Sequence, residues 1–178
     1  MLSLNSPAPA PTRQRHAPSS FFECRHFFTA RDEAQLTSLG ITHVVSVIEH
    51  PPKFPQTHLL RTLHIPLSDS SDQDILIHLP ATTSFIRDAL AESPDSRVLV
   101  HCLMGISRSA TVVCAYLVAT MELTPHEALA AVRAKRGIVS PNMGFLRQLE
   151  DYARQVGHTP TRPGRTRVRR TRQMPFSD

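Results

Sequence analysis

Six glycines and three cysteines in 178 residues leave little room for several protein classes. Cys24, Cys102 and Cys114 do not form the even, closely spaced set from which small secreted domains build a disulfide framework. Ten histidines are scattered with no His-x3-His, and no Cys-x2-Cys occurs, so no metal site is expected. The glycines make neither a Walker-type nor a dinucleotide pattern, and no cofactor is implied. No apolar run reaches the roughly 18 residues that span a bilayer. The N-terminus has no charged-then-apolar signal pattern, so neither a transmembrane segment nor secretion is expected, and the location is expected to be cytoplasmic or nuclear. No internal repeat is visible.

Prolines, by contrast, number fifteen, and they point to Pro-rich flanks around one domain with a sizeable core. Residues 1–20 are rich in Pro, Ser and Ala without hydrophobic periodicity, and are expected to be a disordered leader. Residues 157–178, with Arg162, Arg165, Arg167, Arg169, Arg170 and Arg172, read as a disordered basic tail. The total charge of +5 divides as +2 in the leader and +5 in the tail, which leaves −2 for residues 21–156. The high pI therefore belongs to the tails. The tail is a candidate contact for nucleic acid, anionic lipid or an acidic partner, and equally an unselected extension.

Within 21–156 apolar runs of strand length alternate with helical ones. A first strand or strand pair starts at Phe21, and a helix of about ten residues follows, with Thr29 as N-cap and Gly40 at its end. Strands are expected at 41–48 and 60–67, with a helix at about 75–91 whose Phe85, Ile86, Ala89 and Leu90 face inward. After the Val98 strand and its helix to about Met121, Thr124-Pro125-His126-Glu127 opens a helix ended by Gly137. Ser140-Pro141-Asn142 opens the last helix, to about Val156, with Phe145, Leu146 and Leu149 on one face. This is an α/β pattern, read as three layers, α/β/α, around a mostly parallel sheet of about four to five strands. In such sheets ligands bind beyond the carboxyl ends of the strands.

One stretch organises the chain, Val98 to Val113. The apolar strand ends at His101-Cys102, and after the five residues Leu103, Met104, Gly105, Ile106 and Ser107, Arg108 opens an apolar helix. A loop this compact between strand and helix points backbone N–H groups inward, and the helix adds its positive end, making a cradle for a tetrahedral dianion. Arg108 supplies a planar fork for two phosphate oxygens. Amides, helix terminus and guanidinium together lower a thiol's pKa, so Cys102 is a candidate nucleophile for phosphoryl transfer through a covalent intermediate. Gly105 permits a backbone conformation closed to residues with a Cβ.

His101-Cys102-x5-Arg108-Ser109 resembles the signature of protein tyrosine phosphatases, and the filling of the loop resembles the dual-specificity branch in its small, atypical form. The resemblance covers roughly residues 21–156 and includes Ile65-Pro66-Leu67-Ser68-Asp69 and Ser140 to Phe145. It implies a protein tyrosine phosphatase-like fold and a phosphoprotein substrate. Asp69 matches the family's general acid, which protonates the leaving oxygen and then activates water. Asp72 and Asp74 lie close behind it, with Asp72 read as an N-cap or solvated carboxylate. Ser109 resembles the hydroxyl that assists phosphocysteine breakdown, and His101 the histidine that tunes the thiolate. Asn142 either bonds the phosphate loop from behind or caps its own helix. Cys114 reads as a core residue.

The resemblance implies a phosphatase acting on phosphotyrosine, phosphoserine and phosphothreonine. An RNA 5′-phosphatase or phosphoinositide phosphatase would use the same loop, although apolar Leu103, Met104 and Ile106 are ill suited to a polyanionic headgroup. A phosphate-binding adaptor without turnover is the rival of a different class, and a rhodanese-like sulfur carrier fits the Arg108-Ser109 ending less well.

Overall fold

The described strands form one sheet in which every pairing is parallel, and the strand at Val98–His101 lies between those at Phe22–Arg25 and His43–Val47, with Arg61–Ile65 beyond the latter. The structure is a computed structural model that describes residues 32–54 and 60–157, and the backbone of 22–25. The strands are β1 (Phe22–Arg25), β2 (His43–Val47), β3 (Arg61–Ile65) and β4 (Val98–His101). The described helices are α1 (Glu33–Ser38), α2 (Leu79–Glu92), α3 (Arg108–Met121), α4 (Pro125–Lys135) and α5 (Met143–Gln155), and a 3-10 turn at Leu76–His78 leads into α2.

Every residue of β2 and β4 is buried, as expected for parallel strands covered on both faces. Alternate side chains divide between two cores. Val44 and Leu99 pack with Leu36 and Ile41 on one face, while Val45, Val47, Val98 and Val100 join the larger core under α2 to α5. β3 is an edge strand of the described sheet, and its exposed Arg61 and Thr62 suit that position. Every residue of α3 from Arg108 to Ala115 is buried, which suits the mostly apolar sequence that follows Ser109.

Local capping chemistry sets several boundaries. Thr124 and Glu127 form a reciprocal capping box at the start of α4, with Pro125 in its first turn. The Asn142 side chain accepts from the N–H of Phe145 and starts α5.

Elsewhere the structure corrects the expectation. The first described helix starts after Asp32, whose carboxylate accepts from the N–H of Gln35 at 3.1 Å, and it has six residues; Thr29 lies outside the described residues. An aspartate one position before the first turn satisfies the free N–H groups directly. Gly40 does leave the helix in the left-handed region, at φ 63°. Gly137 has no such role, because α4 ends at Lys135 and the chain departs through extended Arg136. Asp72 is exposed and bonded to Ser70, which fits the solvated-carboxylate reading, and it is Asp74 that accepts from the N–H of Ile77 in the 3-10 turn. The leader and the arginine tail lie outside the described residues. No helix among the described residues is long and apolar enough to cross a membrane.

Candidate active site

The site lies at the carboxyl edge of the sheet, where β4 emerges between β1 and β2. Cys102 follows the last residue of β4 and is only 1% exposed. Its Sγ accepts hydrogen bonds from the N–H of Gly105 and the hydroxyl of Ser109, each at 3.2 Å. Burial pushes the thiol pKa up. The Ser109 hydroxyl, the N–H groups of Ser109 and Gly105, and the Arg108 charge together outweigh it, and the pKa lies below the ordinary thiol value.

The loop keeps its amides inward because its carbonyls are held outside. Arg136 donates from Nε to the carbonyl of Gly105 and from Nη2 to that of Met104, both at 3.3 Å. The N–H of Ser140 donates to the carbonyl of Ile106 at 2.9 Å. In a trans peptide N–H and C=O point oppositely, so holding three successive carbonyls outward turns the N–H groups of Gly105, Ile106 and Ser107 the other way. Gly105 has φ 67°, which a residue with a Cβ would adopt only under strain.

Arg108 opens α3 and is 6% exposed. Its Nη1 donates to the carbonyl of Leu67 at 2.9 Å, and its Nε lies 3.7 Å from Asp69 Oδ2. That Nε is buried and makes no hydrogen bond within the described residues. A donor left open beside a thiolate cradle is suited to a tetrahedral anion.

Asp69 arrives from the end of β3, a neighbouring strand edge, and is one-third exposed. Its Oδ1 accepts from Ser107 Oγ at 2.7 Å and from Asn142 Nδ2 at 2.9 Å. Ser107 also accepts from the N–H of Asn142 at 3.2 Å. The Asn142 side chain thus caps α5 and reaches Asp69, while it is the backbone N–H of Asn142 that meets the phosphate loop, at Ser107. Asp69, Leu103 and Arg108 share an open cleft of about 590 Å³ with a wall made by residues 48–53.

His101 is fully buried beneath the loop, with Nε2 2.7 Å from Ser46 Oγ. Burial lowers its pKa to about 4, against a raising hydrogen bond to the backbone of Cys102, so the ring is neutral at ordinary pH. Cys114 is buried in α3 and belongs to no disulfide among the described residues.

The structure thus gathers Cys102, the loop Leu103–Ser107, Arg108, Ser109, Asp69, His101 and Asn142 at one sheet edge. Sequence reasoning missed Arg136, Gly144 and Gln148. Gln148 left a readable signal, as the polar member of a stripe formed with Phe145, Leu149 and Tyr152 at helical spacing.

Comparison with known proteins places the chain among similar sequences and folds. Residues 26–155 match the family model for the dual specificity phosphatase catalytic domain. The mouse dual specificity protein phosphatase 13B is 43% identical over 129 residues, covering 69% of this chain and 64% of the relative. The Xenopus tropicalis dual specificity protein phosphatase 22 is 39% identical, over 72% of this chain and 60% of the relative. The match therefore spans less than two thirds of each of these curated relatives. The crystal structure of DUSP15 superposes with a TM-score of 0.71 at 31% identity, over 81% of this chain and 97% of that one.

Proposed function

The chain belongs to the dual specificity phosphatase catalytic-domain family, and on that premise we propose that it hydrolyses phosphate monoesters on protein side chains through a phosphocysteine. The observation that carries this reading is the Cys102 sulfur, bonded at 3.2 Å by the Gly105 N–H and the Ser109 hydroxyl beside a buried guanidinium.

The Cys102 thiolate attacks phosphorus as the P–O bond to the substrate side chain breaks. Loop amides and the Arg108 fork hold the equatorial oxygens, whose charge they match in the transition state. Asp69, protonated at the outset, gives its proton to the leaving oxygen. Because Oδ1 already accepts two hydrogen bonds, Oδ2 is the oxygen that carries this proton. In the second step the Asp69 carboxylate takes a proton from water, the oxygen of that water attacks phosphorus, and the S–P bond breaks. The Ser109 hydroxyl bonds the departing thiolate, and orthophosphate leaves. An open cleft, rather than a deep slot, fits phosphotyrosine as well as phosphoserine and phosphothreonine.

The test is phosphate release from matched phosphotyrosine and phosphothreonine peptides at mildly acidic to neutral pH, with a chelator present. Turnover of both by the wild type, abolished in Cys102→Ser and reduced about 10²-fold or more in Asp69→Ala, is the expected result. Tight peptide binding without release would replace the enzyme by a phosphate-binding adaptor.

A further inference from the structure

We propose that Gln148 is a positioning residue that, with Gly144, fixes the loop carrying Asp69 and thereby sets the proton-delivering carboxyl in place. The inference rests on the reading of Asp69 as general acid.

Between the end of β3 and the 3-10 turn, residues 66–75 have no regular secondary structure. Such a segment needs external partners to hold a side chain within the narrow tolerance that proton transfer demands. A single side chain supplies three of them. Gln148 Oε1 accepts from the N–H groups of Ile75 at 2.8 Å and Leu76 at 2.9 Å, and Nε2 donates to the carbonyl of Gln73 at 2.8 Å. Two donors facing one amide atom and an acceptor facing the other fix the amide's orientation, since a flipped amide would oppose all three.

A second contact acts through shape. A Cβ added at Gly144 would lie 2.0 Å from the carbonyl oxygen of Ser71, a backbone atom that cannot swing aside. The loop therefore rests directly on the first turn of α5. A third contact reaches the carboxylate itself, through Asn142 Nδ2.

All three come from α5 or its cap, and α5 is seated by buried Phe145, Leu149 and Tyr152. The helix acts as a splint along the loop. Asn142 grips the functional end, Gly144 admits the backbone, and Gln148 secures the far end where the 3-10 turn begins. Gln148 and Gly144 bond neither Cys102 nor Arg108, and Arg108 meets this loop only at its other end, through Leu67 and Asp69, so losing Gln148 should impair proton delivery more than the nucleophile.

That selectivity is measurable with a series of aryl phosphates whose leaving phenols span a range of pKa. A placed acid makes the rate insensitive to the leaving group, whereas its loss penalises poor leaving groups most. The variant is Gln148→Met, which keeps the length and apolar contacts and removes all three hydrogen bonds. The expected result is a loss of about 10-fold or more in kcat/KM on phenyl phosphate. Loss on a dinitrophenyl ester should be less than about 3-fold, with the pH midpoint of Cys102 alkylation unchanged. Added to Asp69→Asn, Gln148→Met should cost almost nothing more, because both remove one function. Gly144→Ala, which pushes on the same loop at Ser71, should reproduce the leaving-group pattern and decides the matter if Gln148→Met does not fold.

Equal loss across the series, or full multiplication with Asp69→Asn, would overturn the positioning role. If Asp69→Asn itself left the leaving-group dependence unchanged, the assignment of the acid would fail, and this inference with it.

Discussion

The hydroxyl of Ser109 lies 3.2 Å from the sulfur of Cys102, seven residues earlier in the chain, across the turn from β4 into α3. The contact exists because the loop folds the first turn of α3 back over the end of β4. Its consequence is electrostatic, since it is the largest of the influences that lower the thiol pKa. Ser109→Ala is therefore expected to move the pH midpoint of Cys102 alkylation upward. Iodoacetamide labelling rates measured against pH check the direction, and an unchanged midpoint would contradict it.

His101 links pH to stability. Its folded pKa of about 4 lies below the ordinary 6.5, so between those values the unfolded chain binds more protons than the folded one. Stability from this group is complete above about pH 6.5, declines as pH falls toward 4, and is then lost. The full effect is on the order of 3 kcal/mol. Urea denaturation across this range should show a shallower pH dependence for His101→Gln than for the wild type.

Arg136 holds the outer side of the phosphate loop through two carbonyls. Arg136→Met is expected to weaken binding of vanadate, an oxyanion that occupies a phosphate site, by about 10-fold, the equivalent of one hydrogen bond to a charged group. Arg136→Lys should not restore it, because an ammonium lacks the fork that reaches both carbonyls. Inhibition constants for the three proteins provide the check.

Tyr152 donates to Thr83 inside the core, 3.1 Å away, joining α5 to α2. Tyr152→Phe should cost about 1 kcal/mol of stability in urea titration. Turnover should change little, which separates packing of α5 from the loop contacts made at its other end.

What could be read from sequence was local. Thr124-Pro125-x-Glu127 spans four residues and forms the expected cap, and Cys102 to Arg108 is a single loop whose chemistry is written in its spacing. The buried strands were legible because β-branched runs covered on both faces leave no polar alternation. Contacts between distant segments were hidden. Asn142 meets Asp69 across 73 residues, and Gln148 meets Gln73 across 75, so neither pattern nor propensity reveals them. The first helix was misjudged because Thr29 and Asp32 are both acceptable caps and only Asp32 is seen to bond the turn that follows.

The central claim is that the Cys102 sulfur becomes covalently phosphorylated, and rapid acid quenching during turnover of a radiolabelled phosphopeptide tests it directly. Ser109→Ala is the protein to use, because loss of the hydroxyl that receives the departing thiolate should slow breakdown and let the intermediate accumulate. The account predicts stoichiometric label on the peptide containing Cys102, absent in Cys102→Ser. Rapid phosphate release with no label on the protein, and activity retained in Cys102→Ser, would contradict it.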